Sequence, residues 1–182
     1  MSVFTNPASR SLEEAKAYTS AILDLLGSKD PMTVLRGTPD EVRRAIADLS
    51  ERQRSEPESP GKWSMRQVVQ HLSDSELVWG YRLRLVLAQD RPSLTGYDQD
   101  LWSDRLGYQH AAIEPAIEDL AGLRRSNLRL LAAASAADLQ RVGVHSERGE
   151  ESVAHMIRMY AGHDLLHLAQ LARIRRLAER AS

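Results

Sequence analysis

The chain has 182 residues, is 42% hydrophobic and carries a formal net charge of −1, so it is long enough to bury one continuous core without covalent staples. That near-neutral balance leaves no electrostatic footprint for nucleic acid or for an anionic membrane surface. Cysteine is absent, which removes disulfides, thiolate nucleophiles and thiolate metal ligands and leaves histidine, aspartate and glutamate as the strong ligands.

The opening Met1-Ser-Val-Phe-Thr-Asn-Pro has no basic-then-apolar leader pattern. No apolar run approaches the roughly 20 residues of a membrane span. The expectation is a single cytoplasmic domain over residues 1–182, without a membrane or nucleic-acid partner. Ser11-Leu-Glu-Glu14 reads as a capping box, and Leu12, Ala15, Ile22, Leu25 and Leu26 recur at helical spacing until Gly27. Asp30-Pro31 opens a short segment ending at Gly37. Thr38-Pro39-Asp40-Glu41 repeats the start signal, with proline at the first helical position ahead of Val42, Ala45, Ile46 and Leu49. Residues 51–62 are polar and broken by prolines, and read as a loop. Ser64-Met-Arg-Gln67 is a third capping box, and its helix runs to about Gln89 with Met65, Val69, Leu72, Trp79, Leu83, Val86 and Leu87 inward. Residues 90–109 read as a crossing segment whose Tyr97, Trp102 and Tyr108 pack on the body. Another helix runs from about Ile113 to Ala134, residues 141–150 form a turn, and Ser152 begins the last helix, to about Ala178. No strand-period stretch competes. The sum is an all-α fold, a bundle of four main helices with a smaller helix before the second long one.

The chemistry concentrates in His163-Asp-Leu-Leu-His167 and a lone upstream His71. Helix positions four apart place their Cβ atoms about 5–6 Å from each other, so two imidazoles there converge on one divalent ion. A third from a facing helix would leave open coordination positions, as catalytic sites do. On a helical wheel His163 and His167 share the apolar stripe of the last helix, and Ser75, Val78 and Arg82 line up with His71. From spacing alone, metal ligation and satisfied core histidines stand as equal alternatives. His155 lies about 12 Å of helical rise from His163, too far to share an ion; His110 reads as an exposed residue at a helix start, and His145 as a turn residue that faces water or, alternatively, edges the pocket.

These residues form a familiar pattern. Trp63-Ser-Met-Arg-Gln-Val-Val-Gln-His71-Leu-Ser-Asp-Ser-Glu76 and Tyr160-Ala-Gly-His163-Asp164-Leu-Leu-His167-Leu-Ala-Gln170 resemble the DinB-like superfamily, particularly its YfiT-type branch, over roughly residues 10–177. The resemblance implies a four-helix bundle of up-down-down-up connectivity with short extra helices. It also implies a zinc or nickel ion held by His71, His163 and His167, and a homodimer. Known activities of the superfamily cluster on low-molecular-weight thiols, while other members are described as metal-dependent hydrolases.

The leading functional expectation is a metal-dependent transferase that activates a small thiol for attack on an electrophile. Its rivals are hydrolysis by water activated on the ion, and a noncatalytic module binding a small ligand or partner. Arg82, Tyr160 and Trp102 are candidates for the wall of a substrate pocket. Arg82 would receive a planar anion, and Asp164 would orient an imidazole through its second nitrogen. No HExxH-type glutamate accompanies the histidines, and Glu76 projects off the His71 line.

Overall fold

The computed structural model describes residues 12–180. Its helices are α1 (Leu12–Leu26), α2 (Pro31–Ile46), α3 (Glu51–Ser55), α4 (Met65–Ala88), α5 (Gln99–Arg105), α6 (Ile113–Ala132), α7 (Ala136–Leu139) and α8 (Val153–Arg180). The strands are β1 (Ser93–Leu94), β2 (Val142–His145) and β3 (Gly149–Ser152).

Side-chain pairings fix the direction of each long helix. In α1, Ile22 meets Gly162 of α8. Further along, Arg124 of α6 binds both the Leu35 carbonyl of α2 and Asp164 of α8, while Arg175 of α8 donates to the Arg44, Ala45 and Ala47 carbonyls at the C-terminal end of α2. So α1 and α2 follow one another along α8 in its own direction, as one bundle member interrupted at residues 27–30. α4 runs the other way, because His71 faces His163 while Arg82 reaches back to Tyr160. α6 runs with α4, since Arg124 meets Glu76 and Ser126 meets Arg84. The order is up, down, down, up, a four-helix bundle. Running α4 and α6 in the same direction requires a crossing segment, residues 89–112, which carries β1 and α5.

Two apolar clusters fill the bundle. One gathers Val42, Met65, Val69, Ile113, Leu120 and Leu171 at the start of α4; the other gathers Leu35, Trp79, Leu83, Val86, Val153 and Met156 at its end. Between them lies a buried polar layer, and every candidate ligand sits in it. Among the described residues no helix is long and apolar enough to cross a membrane.

The Ser64 capping box is formed, its side chain accepting from the Gln67 N–H while Gln67 answers to the Ser64 N–H. Ser11, the expected cap of α1, lies outside the described residues. Three expectations need correction. The break at Gly37–Thr38 does not exist, because α2 continues through Pro39. Proline supplies no N–H to the carbonyl four residues back, which is Leu35, and here the Arg124 guanidinium donates to that oxygen at 2.6 Å instead. Residues 51–55 form a short helix, not a loop, capped by a Ser50–Gln53 box. Residues 136–139, between α6 and the expected turn, carry no expectation from the sequence and form the single-turn helix α7. Most consequential, residues 93–152 contain a three-stranded sheet of order β1-β2-β3, with β1 parallel and β3 antiparallel to β2. β2 and β3 form a hairpin closed by Ser146-Glu147-Arg148, and Gly149 takes the positive φ (81°) that such a three-residue loop demands.

Candidate metal centre

α8 delivers two imidazoles because positions 163 and 167 share its core-facing stripe, and α4 delivers the third. One ring nitrogen from each of His71, His163 and His167 lies within 4.8 Å of the others. His71 Nε2 and His163 Nε2 are 3.1 Å apart. That is close to the roughly 3.3 Å edge of a tetrahedron with Zn–N bonds of about 2.0–2.1 Å. His71 and His167 are buried; His163 is half-buried and opens toward a cleft. Trp63 covers the other side of His71, with ring centroids 5.0 Å apart.

Electrostatics keep all three rings neutral, the form that ligates. Burial pushes His71 well below its ordinary value, assisted by His167 and His163. Burial also lowers His163, with His167, Arg124 and Arg148 acting in the same direction. His167 falls to about 4, again chiefly through burial, with the Gln170 hydrogen bond opposing. In that bond His167 Nδ1 donates to Gln170 Oε1 at 2.9 Å, which fixes the tautomer and leaves Nε2 with its lone pair toward the other two rings. The donor set of three neutral, converging imidazole nitrogens with no thiolate fits a borderline divalent ion such as zinc or nickel.

Asp164 does not take the role expected of it. Its carboxylate turns away from the imidazoles and accepts from Arg124, NH1 to Oδ2 at 2.7 Å and NH2 to Oδ1 at 3.3 Å. Arg124 also donates from Nε to Glu76 Oε2 at 2.9 Å, and Asn127 donates to Glu76 Oε1 at 2.7 Å. Arg124, Glu76 and Asp164 are each no more than 2% exposed. Burial opposes charge on Arg124, but Asp164 and Glu76 more than offset it and hold the guanidinium protonated. Trp79 lies beneath, its ring centroid 5.7 Å from the guanidinium carbon. This layer went unseen in the sequence, although Leu120, Arg124, Asn127 and Leu131 mark one helical stripe with two polar members. It fixes the α8 backbone next to His163 and shows why Glu76, fully engaged, is no free base.

The cleft beside the histidines has a volume of about 610 Å³, including space open to solvent. His71 and His163 line one end, and Arg82 and Tyr160 are also among its lining residues. Trp102 stands one layer back, its ring 4.4 Å from that of Tyr97, which does line the cleft. Sequence reasoning missed Tyr18, Tyr97 and Arg148, and preferred a solvent-facing His145 over one at the pocket's edge; tertiary structure brings all four in from α1, the crossing segment and the hairpin. Ser75 Oγ lies 3.3 Å from His71 Nε2 and 2.9 Å from Tyr97 Oη, joining the crossing segment to the histidines. Burial pushes the Tyr97 hydroxyl far above its ordinary value, so it stays protonated. His155 and His110 take no part in the cluster.

Comparison with known proteins agrees with this geometry. A family model described as the DinB superfamily matches residues 35–171. A Bacillus mycoides protein named "Putative metal-dependent hydrolase" is 31% identical over 75% of this chain and 79% of its own length. A Bacillus cereus protein of the same name is 30% identical over 76% of this chain and 79% of its own. Among solved structures, YfiT from Bacillus subtilis, described as "a probable metal-dependent hydrolase with an unusual four-helix bundle topology", superposes with a TM-score of 0.77 at 24% identity. The match covers 81% of this chain and 85% of that one.

Proposed function

The chain belongs to the DinB superfamily, and from that premise we propose that it is a metal-dependent hydrolase whose single divalent ion is held by His71, His163 and His167. The observation that carries the reading is the convergence of three buried imidazoles, with ligand atoms within 4.8 Å, at the end of an open cleft. When bound, a divalent ion supplies a Lewis acid for a carbonyl or phosphoryl oxygen and lowers the pKa of a coordinated water to near neutrality. The protein's own part is to keep the imidazoles neutral by burial, to fix the His167 tautomer through Gln170, and to exclude bulk water with Trp63 and the apolar clusters. Tyr97 Oη, held protonated by burial and paired with Ser75, is placed to donate a hydrogen bond to a substrate oxygen in the cleft. Thiol transfer, the leading expectation from the sequence, finds no support in the names of these relatives, and hydrolysis takes its place.

The test is metal analysis of protein purified without an affinity tag, followed by a panel of ester and amide substrates. One zinc or nickel per chain is expected, lost in His71→Ala and His167→Ala, with hydrolysis that stops on chelation and returns on re-addition of the ion. Failure to bind any ion after reconstitution would refute the proposal, and turnover appearing only with added thiol would restore the transferase.

A further inference from the structure

Away from the histidines, the far wall of the cleft holds a cation that has no ion-pair partner among the described residues. Arg82 is 5% exposed, yet its guanidinium contacts only neutral groups, NH1 donating to Tyr160 Oη at 3.4 Å and NH2 to the Thr95 carbonyl. A buried charge held by neutral dipoles alone is costly and is relieved by an anion. Beside it stands His145, 2% exposed, placed there by β2. Its Nδ1 accepts from the Glu147 N–H at 3.2 Å, which puts the ring proton on Nε2, and that buried Nε2–H has no hydrogen-bond partner among the described residues. Burial, with Arg148 and Arg82 assisting, lowers His145 to about 3, so the ring stays neutral and Nε2 remains a donor. Arg148 also faces the cleft, but Glu151 neutralises it through Nε–Oε1 at 2.5 Å and NH2–Oε2 at 3.0 Å. Glu147 is the carboxylate among the cleft-lining residues.

We infer that this wall binds a carboxylate on the substrate, received by the Arg82 guanidinium and the His145 Nε2–H, while the bond to be hydrolysed lies toward the histidines. One unpaired positive charge matches one negative charge. A dianionic phosphate would meet Glu147 with its second charge uncompensated, so the single charge of a carboxylate is the better match. Tyr160 bridges the two ends: its hydroxyl touches Arg82, and its ring centroid is 6.2 Å from that of His163. The substrate class is therefore a small acid whose ester, amide or comparable bond lies within the length of the cleft from its carboxylate. The inference rests on the hydrolase reading for its second half only.

Benzoate serves as the probe, with benzamide as its neutral counterpart of the same shape, titrated into metal-free and zinc-loaded protein while the His145 ring nitrogens are followed by NMR. Benzoate is expected to bind both forms and to move the His145 Nε2 resonance, with benzamide at least tenfold weaker. Arg82→Gln and His145→Phe should each weaken benzoate at least fivefold in the metal-free protein, with folding confirmed by circular dichroism and zinc stoichiometry unchanged. Equal binding of benzamide and benzoate, or benzoate binding indifferent to both substitutions, would overturn the inference. Inorganic phosphate binding tighter than benzoate would overturn the choice of a carboxylate. Zinc titration separates the two proposals. Benzoate captured by a protein that takes up no zinc would sustain this site and remove the hydrolase, and zinc bound without any benzoate would do the reverse.

Discussion

Replacing Arg124 by methionine tests whether the buried polar layer holds the bundle together. The substitution keeps most of the side-chain volume but orphans Glu76, Asp164 and the Leu35 carbonyl, which Arg124 now satisfies at 2.6–2.9 Å. Two uncompensated carboxylates at that depth would take up protons. From ordinary pKa values of about 4.3 and 3.9, keeping them neutral at pH 7 costs about 3.7 and about 4.2 kcal/mol at 1.36 kcal/mol per unit. Their sum of about 8 kcal/mol is a ceiling, because Asn127 still donates to Glu76. Loss of one partner of a buried pair typically costs about 3–5 kcal/mol, so a loss of about 4–6 kcal/mol at pH 7 is expected. The sign of the pH dependence follows. In the variant both carboxyls have folded-state pKa values above their unfolded ones, so the folded state binds more protons and the deficit shrinks as pH falls. At pH 5 the same arithmetic gives about 1.0 and about 1.5 kcal/mol, so the ceiling on the carboxyl part falls from about 8 to about 2.5 kcal/mol, while the stranded carbonyl's cost of about 1–3 kcal/mol stays the same at both pH values. Urea denaturation of wild type and variant, followed by far-UV circular dichroism at both pH values, measures the difference directly. If Arg124→Met does not fold, adding Glu76→Met should restore part of the stability by removing one stranded acid. A deficit below about 1 kcal/mol, or one independent of pH, would refute the reasoning.

Two further outcomes follow from single contacts. Gln170→Leu removes the acceptor that orients His167 and should lower zinc affinity by about 10–100-fold with the fold intact; unchanged affinity in equilibrium dialysis would show that Gln170 does not position the ligand. In Gly162→Ala a Cβ would stand 2.3 Å from the Ile22 carbonyl oxygen, so α1 must move off α8, with an expected loss of about 1–3 kcal/mol. A thermal midpoint equal to that of the wild type would show that this close approach carries no stability.

The helices were legible because their signals are local. Caps at Ser64 and Asp30 and the apolar periodicity of α4 and α8 lie within a few residues of what they specify. The pair His163 and His167 was legible for the same reason, since four-residue spacing is itself the geometry. What escaped depends on contacts far apart in the chain. The unbroken path of α2 through Pro39 depends on Arg124, which lies 89 residues from the carbonyl it satisfies. Gly143 and four-residue strands leave no alternation long enough to announce the hairpin, and the hairpin carries His145 and Arg148 into the cleft. Asp164 could be placed beside the histidines by number, but its direction was set by an arginine on another helix.

The same-direction run of α4 and α6 has a consequence for how such a protein diversifies. A bundle whose neighbours alternate in direction can close each connection with a few residues, and nothing then lies across its flank. Here the return journey over residues 89–112 is unavoidable, and it lays Tyr97 against Ser75 and gives the β2 strand a partner in β1. The three converging imidazoles stand on two long helices, α4 and α8, whereas one wall of the chamber beside them belongs to the traverse and to the hairpin paired with it. Replacement of that traverse can therefore re-shape what the chamber admits while His71, His163 and His167 keep their places, a division of labour that separates chemistry from selectivity along the chain.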